Sequence, residues 1–289
     1  MADFLEAAPP GRVVLVPGRG EMFVRDSGEA TARRGTLLLL HGWMFSADAH
    51  WISNYRGLID AGYRVIAVDH RGHGRGIRSP EPFRLQDCAD DAAGLLRVLN
   101  TGPVTLVGYS MGGAVVQLLA RAHPDLVDAM VLCATTNQWS DDRRLRLSWK
   151  AMGMLEFALL HANRQVWQRL TGGGVIRNQE VTDWVMTELE RNDSRAVAEA
   201  GREMARFDSR PWLKKVRIPA AVICPLRDEL VPPRFQRRLA ADLFDGRLYE
   251  LEGTHLVLAR DPQRYLRVLL LALDDLQERV ARRSRKASA

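Results

Sequence analysis

Short, almost continuous apolar runs alternate along this chain with longer segments in which apolar residues recur every three or four positions. Runs such as Leu37-Leu38-Leu39-Leu40, Val65-Ile66-Ala67-Val68 and Ala220-Ala221-Val222-Ile223 are apolar at every position, as strands buried on both faces are. Strands are predicted over Arg12–Val16, Glu21–Arg25, Thr36–Leu40, Arg64–Val68, Pro103–Val107, Ala129–Cys133, Ala220–Cys224 and Arg247–Leu251. The first two read as an antiparallel hairpin around Pro17-Gly18-Arg19-Gly20. Helices are predicted over Ala47–Ala61, Leu85–Asn100, Met111–His123, Pro233–Leu243 and Pro262–Arg279. In the second of these an acidic first turn (Asp87, Asp90, Asp91) precedes an apolar stripe through Leu95, Leu96 and Leu99. Alternation of this kind predicts an α/β fold, a mostly parallel eight-stranded sheet covered by helices on both faces.

The rhythm breaks once, after the sixth strand. Between Asn137 and Pro211 only helical segments appear, interrupted by Thr171-Gly172-Gly173-Gly174. Residues 1–136 and 212–280 therefore read as the core, and 137–211 as a helical lid over the edge of the sheet where α/β sites form. The segment 281–289 reads as a basic, disordered tail. Four of the seven tryptophans fall in the insertion, and it is rich in methionine. Trp139, Trp149, Met154 and Trp167 are the expected substrate-binding side chains, with the remaining apolar residues packing the insertion onto the core.

Composition narrows the function classes. Hydrophobic residues make up 46% of the 289 positions and charged residues 26%, as in an ordinary globular protein. The net charge of +6 is concentrated in Arg279, Arg282, Arg283, Arg285 and Lys286, which leaves the body nearly neutral and argues against nucleic acid as a partner. Cys88, Cys133 and Cys224 lack C-x-x-C spacing and read as buried, reduced thiols. Acidic residues Asp3 and Glu6 stand where a secretory signal would carry cations, and no run approaches a membrane span. The expectation is a cytoplasmic protein without an integral membrane segment, a monomer or a homodimer.

Chemistry enters at Gly108-Tyr109-Ser110-Met111-Gly112, a G-x-S-x-G set between a predicted strand and a predicted helix. A turn that sharp needs small flanking residues, and it holds the serine hydroxyl clear at the strand's end. A hydroxyl attacks only when a base takes its proton, and the base needs an acid to fix its tautomer. Downstream, Asp228 follows the seventh strand and His255 the eighth, so both fall on loops at the same edge as Ser110. Glu229 competes less well with Asp228; Asp141, Asp142, His123 and His161 are placed too loosely. The oxyanion would be met by the backbone amides of Met111 and of Trp43, the latter in Leu40-His41-Gly42-Trp43-Met44. His41 is expected to brace that loop. His50, on the first helix beside Trp51, lines the pocket only in the minor reading. Asp69-His70-Arg71-Gly72-His73-Gly74 lacks the further ligands of a zinc site and the pattern of a phosphate loop, so Asp69 and Arg71 are expected to pin a tight turn. No metal or cofactor is called for.

With Leu-His-Gly-Trp at 40–43, Asp-His-Arg-Gly-His-Gly at 69–74, Gly-Tyr-Ser-Met-Gly-Gly at 108–113, Asp228 and Gly-Thr-His at 253–255, the chain resembles the α/β-hydrolase superfamily. In style it is similar to lid-bearing serine esterases and lipases, and to cofactor-free haloperoxidase or perhydrolase relatives. The resemblance spans roughly Gly11 to Arg279. It implies Ser110 as nucleophile, His255 as base, Asp228 as acid, and the Trp43 and Met111 amides as oxyanion hole. Serine at the elbow departs from the epoxide hydrolases and haloalkane dehalogenases, which use aspartate there. The His-Gly-Gly-Gly loop of some esterases is absent, and Leu226 stands where a glycine often precedes the acid by two. The expected activity is hydrolysis of small-molecule carboxylic esters with apolar acyl groups through an acyl-enzyme. The alternatives are C–C bond hydrolysis, lactone opening or peracid formation by the same triad, and, from another class, a non-catalytic small-ligand receptor.

Overall fold

A computed structural model describes residues 8–140, 152–170 and 179–287. Eight strands, β1 (Gly11–Val16), β2 (Gly20–Asp26), β3 (Thr36–Leu40), β4 (Arg64–Val68), β5 (Val104–Tyr109), β6 (Val127–Cys133), β7 (Ala220–Pro225) and β8 (Gly246–Leu251), form one sheet in the order β1-β2-β4-β3-β5-β6-β7-β8. The β1–β2 hairpin pairs antiparallel, as does β2 with β4, and every later pairing is parallel.

Strand pleating divides the core into two layers. Leu38 and Leu40 of β3 face one cluster with α2 (Leu85–Val98) and α3 (Met111–Ala122). Leu37 and Leu39 face the other, with α1 (Ala47–Asp60) and the C-terminal helix. Uninterrupted apolar strands are thus needed because neither face meets water. Helix α1 starts where the Ser46 side chain accepts from the Ala49 amide at 3.1 Å.

After β6 the chain leaves the sheet as expected. Helices α4 (Met152–Leu170), α5 (Gln179–Glu190) and α6 (Ser194–Arg206) make up the described part of the insertion. Its neck is closed by an antiparallel bridge between Gln138 and Asp208. The short helix α6 is capped by Asp193, which accepts from the Ala196 amide, and it buries Ala196, Ala200 and Met204 in the main core. Val197 turns instead toward Leu159, Met186 and Leu189. Among the described residues of the insertion, α6 is therefore continuous with the core. The chain then forms α7 (Pro233–Asp242), β8, a short α8 (Val257–Arg260) and α9 (Pro262–Ala287).

One expectation is overturned at the C-terminal end. The tail proposed at 281–289 is helical as far as Ala287, because α9 continues through it. Arg279 is interior and 5% exposed; it donates to the Ala220 carbonyl and pairs with Asp275 at 3.0 Å and Asp245 at 2.6 Å. That anchor propagates the helix into its basic last turns. Among the described residues no helix is long and apolar enough to cross a membrane.

At the hairpin edge, Arg64 donates to both oxygens of Asp26 at 2.9 Å, and both side chains are buried. Burial pushes the Asp26 carboxyl up, but hydrogen bonds from Arg64, the Gly28 amide and Arg12 outweigh it and hold the carboxyl below its usual range. The folded state thus binds this proton less tightly than the unfolded chain, so the stabilisation is present at neutral pH and is lost as pH falls through the carboxylate range. Replacing Asp26 by Ala is expected to cost about 3–5 kcal/mol in urea unfolding at neutral pH. The cost should shrink only as pH falls below the ordinary carboxylate value of about 4; a cost at about pH 2 equal to that at neutral pH would contradict the assignment.

Candidate active site

Ser110 is the hinge between β5 and α3, at φ 53° and ψ −115°, a left-handed conformation that costs energy for a residue with a Cβ. Two close approaches hold it. A Cβ on Gly108 would run into the Gly112 carbonyl, and one on Gly112 would run into the carbonyls of Leu40 and His41. The Ser110 amide donates to Cys133 O at 2.8 Å, and Thr135 Oγ1 donates to Ser110 O at 2.8 Å. Backbone bonds on both sides therefore clamp the strained turn.

Three side chains from separate strand ends converge at that turn. His255 Nε2 lies 3.1 Å from Ser110 Oγ, and His255 Nδ1 lies 2.9 Å from Asp228 Oδ2. An ionised carboxylate only accepts, so Nδ1 carries the proton and Nε2 is left to accept from the serine hydroxyl. Asp228, 3% exposed, also accepts from the Leu230 and Val231 amides at 3.0 and 2.8 Å, and from Gln236 Nε2 at 3.1 Å. The Tyr109 hydroxyl donates to His255 O at 2.7 Å and holds the histidine loop. Glu229, the weaker competitor, points to solvent. Gln236 and Tyr109 escape sequence reasoning because a buried glutamine on a helix and a tyrosine inside the elbow carry no signal of their own.

The His41–Met44 loop abuts Ser110: a Cβ on Gly42 would stand 3.4 Å from Ser110 Cβ. Met111, at the first position of α3, directs its amide out of the helix start. His41 sits in the brace expected of it, with Nδ1 donating to Gly42 O at 2.8 Å and Nε2 accepting from the His70 amide at 2.9 Å. Burial, with His70 and His73 nearby, pushes its pKa well down. The insertion adds two further ties. Trp43 Nε1 donates to Val197 O at 2.8 Å, and Asn192 Nδ2 donates to Met44 O at 2.6 Å while its Oδ1 accepts from the Gly74 amide at 2.8 Å. Met44 is held at φ 71°.

In the turn that follows β4, Asp69 accepts from the Ala47 and Arg75 amides at 2.6 and 2.8 Å, and Arg71 grips Asp91 of α2 through two 2.8 Å bonds. Burial pushes the pKa values of His70 and His73 down to about 3 and about 4, so both rings are neutral. Among the described residues no three His, Cys, Asp or Glu side chains are grouped to hold a metal.

Two of the expected substrate-binding side chains, Trp139 and Met154, fall elsewhere. Trp139 is 3% exposed and packs edge to face on Phe207 with ring centroids 5.7 Å apart, inside the core at the neck of the insertion. Such a large apolar ring next to a neck strand gains more from burial than from lining a cleft. Met154, 72% exposed, sits on the outer face of α4. Trp149 and the Trp167 side chain lie outside the described residues. The cavity beside the triad is instead walled by Phe45, His50, Tyr109, His255, Leu256 and Leu258. A larger cavity of about 610 Å³ lies between Arg121, Trp212, Arg217 and Arg283. It is at the N-terminal ends of β6 and β7, the opposite edge from Ser110, and holds no nucleophile–base pair.

Comparison with known proteins agrees with this architecture. The family model described as "alpha/beta hydrolase fold" matches residues 35–257. The putative carbamate hydrolase RutD of Serratia proteamaculans (strain 568) is 28% identical over 272 residues, covering 86% of this chain and 94% of that protein. The 3-oxoadipate enol-lactonase 2 of Acinetobacter baylyi is 26% identical over 210 residues, covering 70% and 76%. A thermophilic esterase from Thermogutta terrifontis superposes with a TM-score of 0.77 at 24% identity, covering 93% of this chain and 99% of that one.

The elbow's packing generates a direct test. Gly112→Ala is expected to lower stability by several kcal/mol or to prevent folding, because the carbonyls it meets belong to strand and loop backbone. Thermal unfolding measures it, and an unchanged melting temperature would contradict the close approach.

Proposed function

The chain belongs to the alpha/beta hydrolase fold family, and from that premise and the Ser110–His255–Asp228 geometry we propose a serine hydrolase that cleaves carboxylic esters through an acyl-enzyme. The observation that carries the reading is the continuous chain of hydrogen bonds from Ser110 Oγ through His255 to Asp228 Oδ2, at 3.1 and 2.9 Å.

In the first half-reaction Ser110 Oγ attacks the ester carbonyl carbon while its proton passes to His255 Nε2. Negative charge gathers on the carbonyl oxygen, where the amides of Trp43 and Met111 serve as fixed donors; one such donor is typically worth about 10²–10³ in rate. Asp228 stays ionised and stabilises the imidazolium. Collapse of the tetrahedral intermediate expels the alkoxide, which takes the proton from His255 and leaves as alcohol. Water then gives its proton to His255 and attacks the acyl carbon; the carboxylic acid departs and Ser110 recovers its hydrogen.

The pocket wall of Phe45, Leu256 and Leu258 supports an apolar substrate surface. A lactone is an internal ester, so ring opening would follow the same steps without loss of a separate alcohol. Three buried, unpaired thiols (Cys88, Cys133 and Cys224) support a reducing compartment such as the cytoplasm.

A panel of p-nitrophenyl esters tests the reading. Turnover above buffer is expected, with Ser110→Ala lowering kcat by about 10⁴-fold or more; no turnover, or full turnover by the variant, would defeat it. Asn192→Ala, which frees the Met44 carbonyl and loosens the oxyanion loop, is expected to lower kcat about tenfold. Its KM should change much less, and a shift confined to KM would contradict a positioning role.

A further inference from the structure

Among the polar groups around the cavity next to Ser110, one donor is left unspent. His50 stands in the first turns of α1, 8% exposed, with its ring held between Phe45, Trp51 and Tyr109 at centroid distances of 5.1, 5.5 and 4.8 Å. Its Nδ1 accepts from the Gly42 amide at 3.4 Å. Burial, with His255 and His70 nearby, pushes its pKa down to about 3, so the ring is neutral. A neutral ring whose Nδ1 accepts carries its proton on Nε2. That N–H has no acceptor among the described residues, whereas the Tyr109 hydroxyl and both nitrogens of His255 are already engaged.

The imidazole is also close to the reacting atoms. A Cβ on Gly42 would lie 3.0 Å from His50 Cε1 and 3.4 Å from Ser110 Cβ, so one glycine separates the ring from the nucleophile. His50 and His255 share the wall of a cavity of about 20 Å³, room for a water-sized group. The rest of that wall is Phe45, Ala49, Tyr109, Leu256, Leu258 and Ala259, with no cation to balance a carboxylate.

Resting on the ester-hydrolase reading, we propose that His50 is the residue that selects the substrate, donating its Nε2–H to an uncharged oxygen carried close to the scissile carbonyl. The favoured substrates are esters that turn a ketone, ether or ring oxygen into this water-sized cavity while the rest of that group stays outside it. A substrate with only methylenes there leaves a buried N–H unpaired, and binding loses the difference.

Phenyl butanoate and phenyl methoxyacetate form a matched pair in which an ether oxygen replaces one methylene. The readout is the ratio of their kcat/KM values in the wild-type protein, in His50→Phe, which keeps the ring without the donor, and in His50→Gln, which returns an N–H near the same place. Comparing ratios across proteins cancels the intrinsic reactivity of the two esters and any general loss from disturbing Gly42. The methoxyacetate preference is expected to fall about tenfold in His50→Phe and to be largely restored in His50→Gln; the same ratio in wild type and His50→Phe would overturn the proposal. Should the Phe variant not fold, wild type alone decides with trifluoromethyl ketones bearing or lacking that ether oxygen, normalised to their hydration. About tenfold tighter inhibition by the ether is expected, and equal inhibition overturns the proposal. Wild-type protein that turns over neither phenyl ester defeats the ester-hydrolase reading itself and this inference with it, an outcome distinct from turnover of both at an unchanged ratio.

Discussion

The parallel register of the sheet is the constraint from which the site follows. Leu40 pairs with Gly108, Tyr109 with Cys133, and Pro225 with Leu251, so β3, β5, β6, β7 and β8 end at nearly one level. The loops that leave those ends carry His41–Met44, Ser110, Thr135, Asp228 and His255. Parallel strands align their C-terminal ends on one edge, and side chains distant in sequence are brought within hydrogen-bond reach there. A slip of one residue in β5 would turn the hydroxyl side of the elbow into the sheet.

Polar burial then fixes what the register brings together. Arg75 reaches Asp48 at 2.7 Å and Asp69 at 3.3 Å while lying 3.7 Å over the Phe23 ring, and Ser46 Oγ donates to Glu188 of α5 at 2.7 Å. Burial pushes the Asp48 carboxyl up, and Arg25 and Arg75 more than offset it. Buried ion pairs contribute little net stability, but breaking one is costly, so such a network specifies geometry. Glu188 joins the insertion to this network, and Asn192 joins it to the His41–Met44 loop and the turn after β4. Hydrogen bonds from Trp43 to Val197 and from Asn192 to Met44 thus tie the described inner part of the insertion to the loop beside Ser110.

Nearly all of the sheet was legible in the sequence, because strands buried on both faces are apolar without interruption and their turns are marked by glycine. Ser110 and Asp228 were legible as candidates because each follows such a run, and His255 because its loop follows the last predicted strand at the same edge. Gln236 and Tyr109, which hold Asp228 and His255 in place, were not, since their roles depend on tertiary contacts and not on spacing. Trp139 misled because an aromatic residue near the start of an insertion reads alike whether it faces a cleft or a core. The basic end misled for a related reason. Charge density suggested a solvated tail, while the buried Arg279 and its acceptors, invisible in a one-dimensional pattern, carry the helix to Ala287.

The central claim is that Ser110 is made nucleophilic by His255, itself oriented by Asp228. Labelling with a fluorophosphonate probe, read by peptide mass spectrometry, tests this without knowledge of the substrate. The account predicts one phosphonylated residue, Ser110, in the wild-type protein, with labelling slowed by orders of magnitude in folded His255→Ala and Asp228→Asn variants. Labelling that is absent from Ser110, or equally fast in those variants, would contradict it.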